Sequence, residues 1–130
     1  MKIDGKHIII DGFDCDSSHL NNITYIENLC KKAALDAGME ILSSHFYQFQ
    51  PQGITGVLLL STSHMSIHTW PEQKYVSLDL YTCGDQDPIA QVEFLLKELS
   101  TKKAIVYSID RGAAYPQLIK SEEKTAFDSK

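Results

Sequence analysis

Reactive side chains are concentrated in residues 61–72, whose sequence is STSHMSIHTWPE. On a β-strand, residues two apart point to the same face, so we expect His64, Ser66 and His68 to project together. Burying hydroxyls and imidazoles within a strand costs desolvation free energy unless these groups line a cavity or an interface. The pattern therefore predicts that this strand borders a site for nucleophilic or acid–base chemistry.

Simpler interpretations of the same residues remain open on spacing alone. A histidine in a sheet is more often a hydrogen-bonded structural residue than a catalyst. His64 and His68 have the spacing of a zinc-ligand pair, but the sequence contains no His-Glu-x-x-His motif and no obvious third ligand, so we expect no metal site. Cys83 taken alone is typical of a small buried hydrophobic residue.

Three segments in register extend the pattern beyond this strand: FQPQGITG at residues 49–56, STSHMSIHTWPE at 61–72 and DLYTCG at 79–84. Together they closely resemble the short bacterial and archaeal S-adenosylmethionine decarboxylases. The resemblance spans nearly the whole chain without evident insertions. Several spaced motifs in register are far more specific than any single motif.

The resemblance implies that the chain is a precursor that cleaves itself between Thr62 and Ser63. The Ser63 hydroxyl would attack the preceding carbonyl in an N-to-O acyl shift. β-Elimination and hydrolysis would then leave a β chain ending at Thr62 and an α chain beginning with a pyruvoyl group. His68 and Thr55 resemble the pair that assists processing. Only Ser, Thr or Cys can begin such a shift, and an imidazole is a natural proton carrier for it.

The resemblance also implies the substrate, S-adenosylmethionine, and a decarboxylation that supplies the aminopropyl donor for spermidine synthesis. Cys83 resembles the proton donor, Phe49 the ring that stacks on adenine, and Glu72 the carboxylate that holds the ribose hydroxyls. The pyruvoyl group derived from Ser63 would condense with the substrate amine as a Schiff base and act as the electron sink. No external cofactor and no metal are then required.

A homodimer with shared active sites follows from the same resemblance. The larger eukaryotic relatives look like two fused copies of this domain. Their pyruvoyl serine and proton-donor cysteine lie in one half, and the remaining site residues lie in the other. Carried over, Ser63 and Cys83 of one protomer would meet four residues of its partner: Thr55, His68, Phe49 and Glu72.

Two positions depart from the family pattern. The residue before the reactive serine is usually Glu and here is Thr62, and the processing serine is here Thr55. Thr55 keeps a hydroxyl, whereas Thr62 removes a carboxylate beside the scissile bond. Two alternatives therefore stay open: a pyruvoyl-dependent decarboxylase of arginine or ornithine, and an uncleaved, non-catalytic paralogue that acts as a dimer partner.

The composition limits the class of protein. A chain of 130 residues with 43% hydrophobic content is expected to form one domain, residues 1–130, with its own core. Three cysteines without a C-x-x-C pair indicate reduced thiols in a cytoplasm. The net charge of −5 and the dispersed Lys and Arg residues argue against nucleic acid as a partner. The lack of a long apolar run argues against a membrane span and a secretion signal.

The elements that must position these residues are predicted from periodicity and turn residues. Asn22 is expected to cap the first helix and Gly38 to end it. Asp87 and Pro88 are expected to begin the second helix, and the tail from Lys120 is expected to be frayed. The predicted helices are residues 23–37 and 88–100, and the predicted strands are residues 7–10, 39–50, 54–61, 64–70, 75–82 and 104–109.

The resulting order, β-α-β-β-β-β-α-β, predicts an α+β fold. We expect a two-layer sandwich, a mainly antiparallel sheet with two helices on one face. The other face carries apolar as well as polar residues, which indicates that a second molecule covers it.

Overall fold

A computed structural model of the chain describes residues 3–83 and 88–112, together with the backbone of residues 119–125. Within these residues, three α-helices and one 3₁₀ turn accompany seven strands. The helices are α1 (Ser17–Leu20), α2 (Ile23–Asp36) and α3 (Ile89–Glu98), and the 3₁₀ turn is Pro71–Gln73. The strands are β1 (Gly5–Phe13), β2 (Ile41–Gln48), β3 (Ile54–Leu60), β4 (Ser63–Trp70), β5 (Tyr75–Cys83), β6 (Lys103–Arg111) and β7 (Ile119–Thr125).

The strands form one sheet in the order β2-β3-β4-β5-β1-β6-β7. Every neighbouring pair is antiparallel. Strands β2 to β5 follow one another as hairpins, and β1 then inserts between β5 and β6. The predicted α+β class and the antiparallel sheet are confirmed.

One prediction about the chain's end is wrong, and one short helix was not predicted. The tail from Lys120 is not frayed at its start, because β7 pairs with β6 from Ile109↔Ile119 to Lys103↔Thr125. The sequence of β7, IKSEEKT, is mostly polar, and an edge strand held through backbone hydrogen bonds gives no alternating apolar signal. The short helix α1, capped by the Asp16 side chain, was also not predicted. Asp87, the predicted cap of α3, lies outside the described residues.

Helix α2 begins and ends where its capping residues predict. The Asn22 side chain accepts a hydrogen bond of 3.0 Å from the Tyr25 backbone N–H. Gly38 has a φ of 78°, the left-handed conformation that terminates helices and that glycine adopts without steric cost. Between these ends, Ile26 and Ala33 are among the buried residues that face the sheet.

The core lies between the helices and one face of the sheet. On β4, Met65 and Ile67 are buried, and on β5, Leu78 and Leu80 are buried on the same side. Burying a side chain of this size stabilises a fold by roughly 1.5–3 kcal/mol. The alternation fixes the orientation of the intervening residues, so His64, Ser66 and His68 point to the opposite face, as predicted.

This opposite face, which we call the open face, carries large exposed side chains. Val57 and Leu59 on β3 are 41% and 51% exposed, and Tyr47 on β2 is 63% exposed. The described helices bury the other face. None of these helices combines the length and apolar character needed to cross a membrane.

Candidate active site

The predicted site residues line two cavities. The serine cavity, about 290 Å³, is lined by Gly38, Met39, Glu40, Ser61, Thr62, Ser63 and Cys83. The histidine cavity, about 300 Å³, is lined by Phe49, Gln52, Gly53, Ile54, Thr55, His68, Thr69, Trp70 and Glu72. Each cavity contains only part of the set that the sequence grouped together.

The serine cavity is built on the tight hairpin between β3 and β4. Leu60 pairs with Ser63, so only two residues connect the strands. The second of them, Thr62, has a φ of 57°, a left-handed conformation that is strained for a β-branched residue. Such a conformation costs roughly 1–2 kcal/mol at a non-glycine residue. The strain therefore lies at the residue whose carbonyl precedes Ser63.

Cys83 contacts that same carbonyl. Its thiol donates to the Thr62 carbonyl oxygen over a distance of 3.0 Å between sulfur and oxygen. A donor at a carbonyl oxygen polarises the bond and stabilises the negative charge that develops when a nucleophile adds to the carbon. The predicted cysteine and the predicted cleavage position are thus in direct contact.

The histidine cavity brings together the other four predicted residues. Thr55 and His68 are cross-strand partners, and Thr55 Oγ1 lies 3.0 Å from His68 Nδ1. Phe49, which follows β2, is 45% exposed, and Glu72 is exposed in the 3₁₀ turn. This cavity therefore offers an imidazole with a hydroxyl partner, an aromatic ring and a carboxylate.

One protomer does not bring the two cavities together. Ser63 and His68 lie on the same strand, five residues apart. At roughly 3.3 Å per residue, their backbones are about 16 Å apart along the sheet. A single copy of the chain therefore keeps Ser63 and His68 apart.

Between the two cavities, the open face carries a hydrogen-bonded network centred on Asp79. Its Oδ2 lies 2.6 Å from His7 Nε2 and 3.2 Å from His64 Nε2, and Ser66 donates to its Oδ1. Partial burial raises the pKa of Asp79, but the hydrogen bonds from Ser66, His7 and His64 outweigh this effect and hold it below its usual value. No local sequence pattern indicates this network, because His7 and Asp79 come together only through the pairing of β1 with β5.

The network also has the composition of a metal site, since ligand atoms of His7, His64 and Asp79 lie within 4.8 Å of one another. Arg111 argues against that use. Its guanidinium can only donate, and it contacts His7 Nδ1 at 3.3 Å. A neutral His7 that accepts at Nδ1 carries its proton on Nε2, so this nitrogen donates to Asp79 and has no lone pair for a metal. His68, the other histidine in the zinc-like spacing, contacts Thr55.

Comparison with known proteins gives one consistent result. Residues 6–112 match the family model described as S-adenosylmethionine decarboxylase. The S-adenosylmethionine decarboxylase proenzyme of Thermotoga petrophila is 42% identical over 113 residues, which cover 86% of this chain and 87% of that protein. The proenzyme of a Bacillus cereus strain is 40% identical over 121 residues, covering 92% and 93%. The crystal structure of the Aquifex aeolicus adenosylmethionine decarboxylase matches with a TM-score of 0.80 and 35% identity, covering 91% of this chain and 98% of that one.

Proposed function

The chain belongs to the S-adenosylmethionine decarboxylase family, and we propose that it is the precursor of a pyruvoyl-dependent enzyme that decarboxylates S-adenosylmethionine. Its product is the aminopropyl donor for spermidine synthesis. The observation that carries the proposal is the contact of Cys83 with the Thr62 carbonyl, directly before Ser63. The three free cysteines agree with a cytoplasmic enzyme.

Self-cleavage begins when the Ser63 hydroxyl adds to the Thr62 carbonyl carbon. The C–N bond breaks as the nitrogen takes a proton, and an ester then joins the two parts of the chain. Loss of the Ser63 α-proton breaks the bond between Cβ and the ester oxygen, which releases Thr62 as a carboxylate and leaves a dehydroalanine. This residue tautomerises to an imine, and water replaces its nitrogen, which leaves as ammonia. The new N-terminus is a pyruvoyl group.

The residues around Ser63 suit these steps. The Cys83 thiol stabilises the negative charge on the Thr62 oxygen during the first addition. Strain at Thr62 is released when the peptide bond to Ser63 breaks, which favours cleavage. The partner's His68, paired with Thr55 of its own chain, carries protons to and from the reacting atoms in the homodimer proposed below.

The serine cavity also fits a pyruvoyl group at position 63. Once formed, this group supplies an electron sink for the bond to the departing carboxylate. Cys83, which lines the same cavity, returns a proton to the substrate Cα. In the histidine cavity, the Phe49 ring stacks on the adenine, and the Glu72 carboxylate accepts hydrogen bonds from the ribose hydroxyls.

We propose further that residues 1–130 act as one domain in a homodimer with shared sites. Face-to-face packing of two open faces covers the exposed Val57 and Leu59. The two-fold axis lies between the two faces, perpendicular to the strands and close to Ser66. Rotation about this axis reverses the direction of β4. Ser63 of one protomer then approaches His68 of its partner. The opposite placement of the two cavities on one strand supports this arrangement.

Two measurements test the proposal: the mass of the purified chain or its fragments, and the turnover of the substrate. Purified wild-type protein is expected to give two fragments on a denaturing gel, whereas Ser63→Ala stays one chain of 14.6 kDa. Ser61→Ala, which removes a neighbouring hydroxyl in the same hairpin, is the matched control and should still cleave. The cleaved protein should release CO₂ from S-adenosylmethionine and not from arginine or ornithine. A wild-type protein that stays intact, or a Ser63→Ala variant that cleaves, would contradict the proposal.

A further inference from the structure

Tyr81 lies beside the site on β5 and has no part in the steps above. It faces the open side of the sheet, between its cross-strand partners His7 on β1 and His64 on β4. The ring leans over Gly5. A Cβ placed on Gly5 would be 2.5 Å from the Tyr81 hydroxyl oxygen and 2.6 Å from Cε1 of its ring. The absence of a side chain at Gly5 therefore gives the tyrosine its position.

That position brings the hydroxyl next to Cys83. Gly5 and Cys83 are directly opposed in the pairing of β1 with β5, and Tyr81 precedes Cys83 by two residues on the same face. A hydrogen bond with the Cys83 side chain raises the pKa of Tyr81, and burial and the charge of the thiolate act in the same direction. The hydroxyl therefore lies over Gly5, beside Cys83.

Arg111 also contacts the ring. Its guanidinium carbon lies 4.7 Å from the centroid of the Tyr81 ring, a cation–π distance. The positive charge also makes the phenol a better donor. The Tyr81 ring thus leans over Gly5 and packs against Arg111.

We propose that Tyr81 is a positioning residue for Cys83: its hydroxyl donates to the sulfur and directs the thiol hydrogen to the Thr62 carbonyl. This rests on the proposed function, in which that thiol assists cleavage. A thiol is a weak donor that rotates freely about the Cα–Cβ bond, so a second contact on the sulfur selects one orientation. The same hydroxyl stabilises the thiolate that remains after Cys83 has given up its proton.

The first experiment measures self-cleavage rates in a double-mutant cycle. Tyr81→Phe keeps the ring and removes only the hydroxyl, and it should slow cleavage about three- to tenfold, the effect of losing one hydrogen bond. In a Cys83→Ala background, which we expect to cleave slowly, the same change should have no effect, because the hydroxyl acts through the sulfur. Tyr47→Phe, on the exposed end of β2, is the matched control and should cleave as the wild type does. Equal slowing in both backgrounds would overturn the proposal.

The second experiment does not depend on cleavage. In the uncleavable Ser63→Ala variant, Cys83 is the one partly exposed cysteine, since Cys15 and Cys30 are buried. Its alkylation by iodoacetamide at neutral pH should slow about threefold when Tyr81→Phe is added, because the sulfur loses the hydroxyl that orients it. Gly5→Ala should have the same effect by displacing the hydroxyl. An unchanged or faster alkylation of the Tyr81→Phe protein would overturn the proposal, whether or not the wild type cleaves.

Discussion

The serine cavity and the histidine cavity differ in how their residues are held. Ser63 and Cys83 line one cavity at a strained two-residue hairpin, where the thiol contacts the Thr62 carbonyl. Thr55 and His68 face each other across two regular strands, at the other end of β4. Under the proposed function, the first region would carry the nucleophile and the bond to be broken, and the second a proton carrier and the groups that suit a nucleoside. Each end of β4 would then be half of a site, which the proposed dimer completes.

The strongest test of whether the two cavities act together restores a site from two inactive chains. Ser63→Ala and His68→Ala should each fail to cleave alone, because one lacks the nucleophile and the other the proton carrier. When the two are co-expressed, each mixed dimer contains one site with both groups, so part of the His68→Ala chain should be cleaved. The fraction is measured by intact mass after isolating mixed dimers with two affinity tags.

The control for this experiment pairs His68→Ala with the double variant Ser63→Ala/His68→Ala, which should give no cleavage. If the His68→Ala chain stays whole in verified mixed dimers, the two cavities do not act together across protomers. A monomeric wild-type protein that cleaves at a concentration-independent rate would lead to the same conclusion.

Removing the substrate-binding groups should separate binding from cleavage. Glu72→Gln should raise KM about tenfold or more, because hydrogen bonds to a charged acceptor contribute about 1.5–3 kcal/mol. Phe49→Ala should also raise KM, since the adenine loses its aromatic surface. Both variants should self-cleave at the wild-type rate, which a gel time course measures. The exposed Glu93 on α3 provides the matched control Glu93→Gln, and slow cleavage of the Glu72 variant would place this carboxylate in processing instead.

A change at Thr62 tests how the serine cavity affects turnover. Thr62→Glu restores the carboxylate that the family pattern has at this position and should raise the turnover of S-adenosylmethionine a few-fold. Thr62→Gln, whose side chain has the size of Glu but no charge, is the control and should not raise the turnover. Steady-state kinetics on fully cleaved protein gives the answer. If Thr62→Glu instead abolishes an activity on arginine or ornithine, the substrate assignment is wrong.

The smallest expected effect concerns Asp79, midway between the cavities. Hydrogen bonds lower the pKa of the Asp79 carboxyl in the folded state. The carboxylate therefore stabilises the fold when the pH is above the ordinary pKa of 3.8. This stabilisation is lost as the pH falls through the lower pKa of the folded state. Asp79→Asn should therefore lower Tm by a few degrees at neutral pH, and the difference should shrink below about pH 4. Thermal unfolding from pH 7 to 3 measures it.

Asp36→Asn, an exposed carboxylate paired with Lys32 on α2, should have little effect at any pH. A difference between wild type and Asp79→Asn that stays constant down to pH 3 would show that the network does not stabilise the protein through this charge.

Much of the fold was predictable because local signals agreed with it. The caps of α2 and the alternation of β4 and β5 each depend on neighbouring residues, and each was confirmed. β1 was predicted to be shorter than it is, because its ends at Gly5 and Phe13 are defined by pairing with β5 and β6. β7 was missed for the same reason. Backbone pairing is invisible in a polar strand until its partner is known.

The sequence by itself determined the reactive residue types, the strand alternation that places His64, Ser66 and His68 on one face, and the motifs that indicate the family. Only the tertiary structure decided that Cys83 contacts the Thr62 carbonyl, that His7 joins Asp79, and that the two cavities lie at opposite ends of β4. The physical reason is that a strand's periodicity is a local property, whereas sheet order and register arise from pairing between distant segments. His7 and Asp79 are separated by 72 positions in the chain, and nothing near either residue specifies the contact between them.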